Sequence, residues 1–402
     1  MNENTKTFPK GFLWGAATAG HQIEGGLEDD WSEWEESSKR VKELKDKGLN
    51  PEDFQAKIAA DSWNRLEEDI ACLKKLGATA YRFSVEWSRI EPEEGKFNEQ
   101  ALLKYHNFIK RLKEEGIEPF VTLWHWPVPL WVRDKGGWSN KKIVGYFKKY
   151  AEKVVQTFGE VDFWLTINEP QVYTSKGYLV GHWPPNKKSP LSYLRVLLNM
   201  AKVHNEVYGI IKSIKPKAKV SFAHHHVYFS SAKGDLISET IVKVADWLVN
   251  HWFMNKVIKQ LDFISINHYF HNVINYWKIS RKTEKEISDM DWGLYPKGLY
   301  ESVKAWQKTS LPIYITEHGL ADEKDRYRAW YIKESLAWLH KAIEEGVDIR
   351  GYLHWSLLDN FEWADGLSKK FGLFEIDRKT LERKPRASVS TYTEIIKNNG
   401  LL

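Results

Sequence analysis

Val161-Asp162-Phe163-Trp164-Leu165-Thr166-Ile167-Asn168-Glu169-Pro170 is the stretch on which the reading of the fold turns. Its apolar, β-prone first half predicts a strand, and Pro170, which has no N–H to give, stops it just after Glu169. A carboxylate with an amide beside it is thereby placed at the carboxyl end of a strand. The same design returns far downstream, where Pro312-Ile313-Tyr314-Ile315-Thr316 runs into Glu317-His318-Gly319. Two strand-terminal glutamates ask for a fold that gathers strand ends in one place.

Working outward, eight strand-like runs can be picked out: Phe12–Ala19, Thr79–Val85, Glu118–Trp124, Asp162–Ile167, Lys219–Ala223, Asp262–Asn267, Pro312–Thr316 and Arg350–Ser356. Each is followed by apolar residues at helical spacing, as in Leu102-Leu103-Tyr105-Phe108-Ile109-Leu112. Eight β-α alternations predict an α/β fold of the closed parallel (β/α)8 type, the TIM barrel. No linker or low-complexity stretch divides the chain, so residues 1–402 are expected to form one catalytic domain. A doubly wound open sheet is the competing reading, but no Gly-rich phosphate turn follows the first strand.

In such a barrel the chemistry lies at the carboxyl ends of the strands. Read in order, those ends carry Gln22, Arg82, His125-Trp126, Asn168-Glu169, His224-His225-His226, Asn267-His268-Tyr269, Glu317-His318, and Trp355 followed by Glu362-Trp363. Polar and aromatic residues at every end predict a polar pocket rather than a scaffold with a solvated rim. Two carboxyls across a pocket suit glycoside cleavage: one protonates the leaving oxygen, the other attacks the anomeric carbon or activates water. Attack needs an ionised carboxylate and donation a raised pKa, so their environments must differ. Arg82 is a partner for one of them. Gln22, Asn168, Trp126 and Trp363 suit hydroxyl recognition and stacking on sugar rings.

Composition narrows the alternatives. A net charge of +5 over 402 residues is mild, and no single-sign run marks a nucleic-acid arm, so nucleic acid is excluded as a partner. Cys72 is the only cysteine, which rules out an intrachain disulfide and fits a core position on an amphipathic helix. The first ten residues lack the apolar core of a signal peptide, and no apolar run reaches membrane-spanning length. A cytoplasmic location is expected. Twenty Trp in a chain that is 14% aromatic serve core packing, sugar stacking, or both.

FPKGFLWGAATAGHQIEGG, YRFSVEWSRIEP, TLWHWPVP, TINEP, YITEHG and GYLHWSLLDNFEW, from residue 8 onward, together resemble the signatures of glycoside hydrolase family 1, the retaining β-glycosidases. The resemblance runs in family order to about residue 388. It implies that Glu169 is the acid/base and Glu317 the nucleophile, about 5–5.5 Å apart, with a covalent glycosyl-enzyme between two steps. It further implies that Asn168 holds the sugar 2-hydroxyl and that Arg82 and Tyr269 position Glu317. Gln22, His125, Trp126, Asn267, Glu362, Trp363 and Phe371 match the family's substrate-binding set, and Trp355 its indole platform. The implied activity is exo-cleavage of terminal β-D-glucosides, with β-galactosides, β-fucosides and β-mannosides as further substrates. A small-molecule glycoside is the implied partner, and no metal or organic cofactor is implied. Glu169, where thioglucosidases carry glutamine, argues against thioglucosides, and the Glu362-Trp363 pair argues against 6-phosphosugars.

Some residues depart from the family pattern. His318 stands where asparagine is usual, and an imidazole beside the nucleophile is expected to shift the pH optimum. His268 replaces a tyrosine and, by strand alternation, should point away from the pocket. Between residues 224 and 262 the chain is short for the family, with one helical stretch, Thr240–Gln260, expected there. A trimmed rim should leave the leaving-group side wider or more mobile. His224-His225-His226 invites a metal reading, but alternation aims only two of the three together. Two other functions stay open: a glycan-binding barrel that has lost turnover, and a metal-dependent hydrolase using these histidines.

Overall fold

The computed structural model describes residues 6–276 and 278–401. All eight predicted runs are strands: β1 (Leu13–Ala17), β2 (Ala80–Ser84), β3 (Glu118–Thr122), β4 (Phe163–Asn168), β5 (Lys219–His225), β6 (Ile264–His268), β7 (Ile313–His318) and β8 (Ile349–Trp355). They pair in parallel in sequence order, and β8 pairs with β1 to close the barrel. The doubly wound alternative is thereby replaced by the barrel.

Helices cover the outside because their apolar stripes must be buried against the strands. In Glu99–Glu114, Leu102, Tyr105, Phe108, Ile109 and Leu112 are all buried, and the Asn98 side chain caps the first turn by accepting the Ala101 N–H at 3.0 Å. Cys72 is buried on helix Leu66–Leu76, which ends at Gly77 with φ 76°, a conformation glycine adopts without strain. Inside the barrel an aromatic floor forms near the strand starts. Phe120 stacks on Phe163 at 4.1 Å, and Phe263 and Tyr314 pack edge-on around them. Above this floor the interior turns polar at Arg82 and Thr122 on β2 and β3.

The segment after β5 differs from expectation. Strand Tyr228–Ser231 comes first; helix Leu236–Asp246 starts before Thr240 and runs on through a π-helical turn, Trp247–His251, and the short turns Met254–Val257 and Ile258–Gln260, so the expected helical stretch is present and the strand is the addition. That strand pairs in parallel with His271–Asn275, which pairs antiparallel with Lys278–Ser280. The first two of these strands and the helix share a small core of Val227, Phe229, Phe270 and Ile274, while Lys278–Ser280 is exposed. The shortened rim is therefore a packed cap. A strand of four residues offers too little alternation to be read from sequence.

Among the described residues no helix is long and apolar enough to cross a membrane. Nor does any group of three or more His, Cys, Asp or Glu there converge as metal ligands.

Candidate active site

Strand β4 ends at Asn168, and Glu169 turns the chain into the short helix Pro170–Thr174 with a φ of 41°. Its N–H donates to the Ala223 carbonyl at 2.9 Å, so the turn is tied to β5. The Glu169 carboxylate accepts the Asn267 amide at 2.8 Å and lies 3.4 Å from His225 Nδ1. Glu317, near the end of β7, is buried, ion-paired with Arg82, and accepts the Tyr269 hydroxyl at 2.5 Å. Gly319 lets the chain pass: a Cβ there would fall 1.8 Å from the Trp355 carbonyl oxygen.

Arg82 anchors this arrangement. It is fully buried and donates to Thr122 Oγ1 at 3.0 Å and to Asn168 Oδ1 at 2.7 Å as well as to Glu317. Asn168 in turn donates to His125 Nε2 at 2.9 Å. Thr316 donates to Asn267 Oδ1 at 2.8 Å, which aims the Asn267 amide at Glu169. A planar guanidinium holding several acceptors in one fork is difficult to replace with lysine.

These groups face a cavity of about 430 Å³. Of the residues predicted from sequence, His125, Trp126, Asn168, Glu169, Tyr269, Glu317, Trp355, Glu362, Trp363 and Phe371 line it. Gln22, Arg82 and Asn267 stand behind the lining and reach it through hydrogen bonds. Gln22 donates to the Phe361 carbonyl at 2.7 Å and to Glu362 at 3.3 Å. Trp126 and Trp363 pack at 4.5 Å, and the Trp126 indole donates to the Asn168 carbonyl. Among the described residues Gln22 Oε1 and His125 Nδ1 are buried without a hydrogen-bond partner.

The histidines divide by strand alternation. His225 points into the cavity, whereas His224 and His226 pack outside the barrel against Trp306. His268 also faces outward, bonded to the His226 carbonyl and Ser302. His318, expected to shift the pH optimum from beside the nucleophile, turns its ring away from the cavity. Its ring stacks on Tyr331 at 4.9 Å and bonds the Tyr352 hydroxyl, on the face opposite Glu317. Burial, with His268 and His354 nearby, holds it well below its ordinary value, so it is neutral.

Burial pushes Glu317 up to about 7 against the pull of Arg82, with the Glu169 charge adding to the rise. Glu169 lies below the usual carboxylate range: burial works upward, but His225, the Asn267 amide and Arg82 outweigh it. Burial first, then Asp365 and Glu317, raises Glu362 well above its ordinary value. Burial, then Arg82, lowers His125, whose Nε2 accepts from Asn168, so its proton resides on Nδ1. The pocket thus holds one proton on its two central carboxyls near neutral pH.

Sequence reasoning missed the supports Thr122 and Thr316, whose hydroxyls are buried mid-barrel, and the outer wall. That wall includes Val172, Lys176, Phe229, Val249, Arg281 and Trp292. Only the pairing of the short rim strands brings several of them to the mouth.

The family model for glycosyl hydrolase family 1 matches residues 4–260 and 238–401. The β-glucosidase A of Acetivibrio thermocellus is 33% identical over 449 aligned positions, covering 98% of this chain and 99% of that protein. The β-glucosidase A of Thermotoga maritima is 32% identical over 450 positions, covering 99% of each. The solved structure of a β-glycosidase from Pyrococcus horikoshii superposes with a TM-score of 0.92 at 34% identity, covering 99% of this chain and 96% of that one. The two family-model matches overlap at residues 238–260, within the rim segment that is short here.

Proposed function

The chain belongs to glycosyl hydrolase family 1 and is a glycoside hydrolase; on that premise we propose that it is a retaining exo-β-glycosidase acting on terminal β-D-glucosides. β-Galactosides, β-fucosides and β-mannosides are further substrates in this reading, and the cytoplasm is its place of action. The observation that carries it is the unequal bonding of two buried carboxyls on one cavity. The pair holds a single proton: when it resides on Glu169, held by an amide and an imidazole, the guanidinium and phenol on Glu317 serve the anion that attacks.

In the first step a Glu317 oxygen bonds to the anomeric carbon as the glycosidic C–O bond breaks, and Glu169 gives its proton to the departing oxygen. In the second, Glu169 takes a proton from water as that water displaces Glu317. Asn168, fixed between Arg82 and His125, bonds the 2-hydroxyl. Gln22 Oε1 and His125 Nδ1 supply an unspent acceptor and donor for ring hydroxyls, and Trp355 carries the ring face.

The test is release of p-nitrophenol from a panel of aryl β-glycosides by wild type, Glu317→Ala and Glu169→Ala, with and without azide. Wild-type turnover should fall by roughly 10³-fold or more in each variant. Azide should give an α-glycosyl azide with the first variant and a β-glycosyl azide with the second. Sugar binding without wild-type turnover on any member would instead make this a glycan-binding barrel.

A further inference from the structure

The inner end of the pocket is acidic, with Glu169, Glu317 and Glu362, whereas its outer lining carries two cations, Lys176 and Arg281. Arg281 follows rim strand Lys278–Ser280 and is held on three sides. Its Nε donates to Asn272 Oδ1 at 3.0 Å, its guanidinium carbon lies 3.9 Å over the Phe270 ring, and its carbonyl accepts the Gly293 N–H. One guanidinium N–H is spent in this way; the terminal nitrogens have no hydrogen-bond partner among the described residues.

Lys176 approaches from the opposite part of the sequence, on the π-helical turn Ser175–Val180 whose Lys176 carbonyl accepts the His182 N–H at 2.8 Å. Its side chain is half-buried and, among the described residues, makes no ion pair. Burial lowers its pKa, and the charge of Arg281 lowers it further. Asp365 shares the lining but is ion-paired with neither cation. Other rim cations are spent: Arg326 pairs with Asp289 and Asp322, and Lys369 donates to the Asp289 carbonyl. Two like charges facing one cavity repel until an anion joins them, and a pre-positioned guanidinium loses little freedom in binding one.

The remaining outer lining is largely apolar, with Val172, Phe229, Val249, Phe270, Met290 and Trp292. We propose that the outer half of the pocket is a subsite for glycosides whose leaving group is an aromatic or alkyl unit ending in an anion. The apolar part rests on this wall, and a carboxylate, sulfate or phosphate is taken by Lys176 and Arg281. This deepens the β-glycosidase reading and rests on it.

The experiment compares kcat/KM for 4-carboxyphenyl, 4-sulfooxyphenyl and 4-carbamoylphenyl β-D-glucoside in wild type, Lys176→Met and Arg281→Gln. Using the ratio of each anionic substrate to the neutral amide within one protein cancels changes in folding and in intrinsic rate. At least one anion-to-amide ratio should fall about tenfold in each variant, as expected for losing one cation from a partly desolvated pair. The anion whose ratio falls further identifies the preferred group. Ratios equal within twofold across the three proteins overturn this inference alone. No turnover of any glucoside by wild type overturns the underlying reading and this inference with it.

Discussion

Glu169 and Glu317 share a proton whose loss near pH 7 removes the donor that glycoside cleavage needs. The sign follows from Glu317: burial raises the value at which the pair gives up its last proton to about 7. kcat/KM should therefore hold below that value and fall as pH rises through it. Tyr269 donates to the Glu317 anion, so Tyr269→Phe should move this alkaline limb upward by on the order of half a unit to one unit. A limb that stays in place would show that another group sets it. Both glutamates were legible in the sequence because each stands at the end of an apolar strand, and Arg82 because it is a charged residue within one. Thr122 and Thr316 were not. A threonine is an ordinary strand residue, and only the closed barrel brings each hydroxyl to its partner.

On the scale of one strand, β7 separates two neighbours that the sequence sets side by side. Glu317 enters the cavity and His318 enters the layer between strands and helices, where Tyr331 and Tyr352 surround it. His318→Asn should leave the pH dependence of kcat/KM where it is. Loss of the stacked ring should cost roughly 1–3 kcal/mol in stability, read as a lower denaturant midpoint at unchanged slope. A shifted pH profile would mean that the imidazole reaches Glu317 after all. The strands were read to within a few residues because long, apolar, regularly spaced runs carry a strong signal. In the rim unit after β5 the helical stretch up to Gln260 was legible, but strand Tyr228–Ser231 was not, because it is short and its partner, His271–Asn275, lies beyond another barrel strand.

Taken whole, the molecule buries ionisable groups of opposite effect. Burial raises Glu86 to about 8 and Asp69 to about 6, so folding takes up protons there and gains stability as pH falls toward their unfolded values. Burial lowers His224 to about 3 and His204 to about 4; these lose stability as pH falls below about 6.5, because the unfolded chain binds the proton. His224 isolates the second effect, since neither of its ring nitrogens has a hydrogen-bond partner among the described residues. His224→Leu should gain stability over wild type as pH drops, reaching about 2 kcal/mol more at pH 5 than at pH 7. Equal differences at both values, in paired denaturant titrations, would show that the imidazole does not resist protonation in the fold. The barrel itself was evident from eight repeats. Strand alternation also gave His268 its outward face; how deeply the outward histidines would be buried was not legible, because that depends on helices packing over each strand.

The aromatic floor beneath Arg82 has a kinetic meaning as well as a packing one. With its base filled by packed rings, the chamber opens toward the strand ends, so the cleaved fragment leaves by the side from which its replacement arrives. In the proposed two-step reaction, water and any alcohol queue at that opening. A departing fragment that lingers there is then first in line to be rejoined.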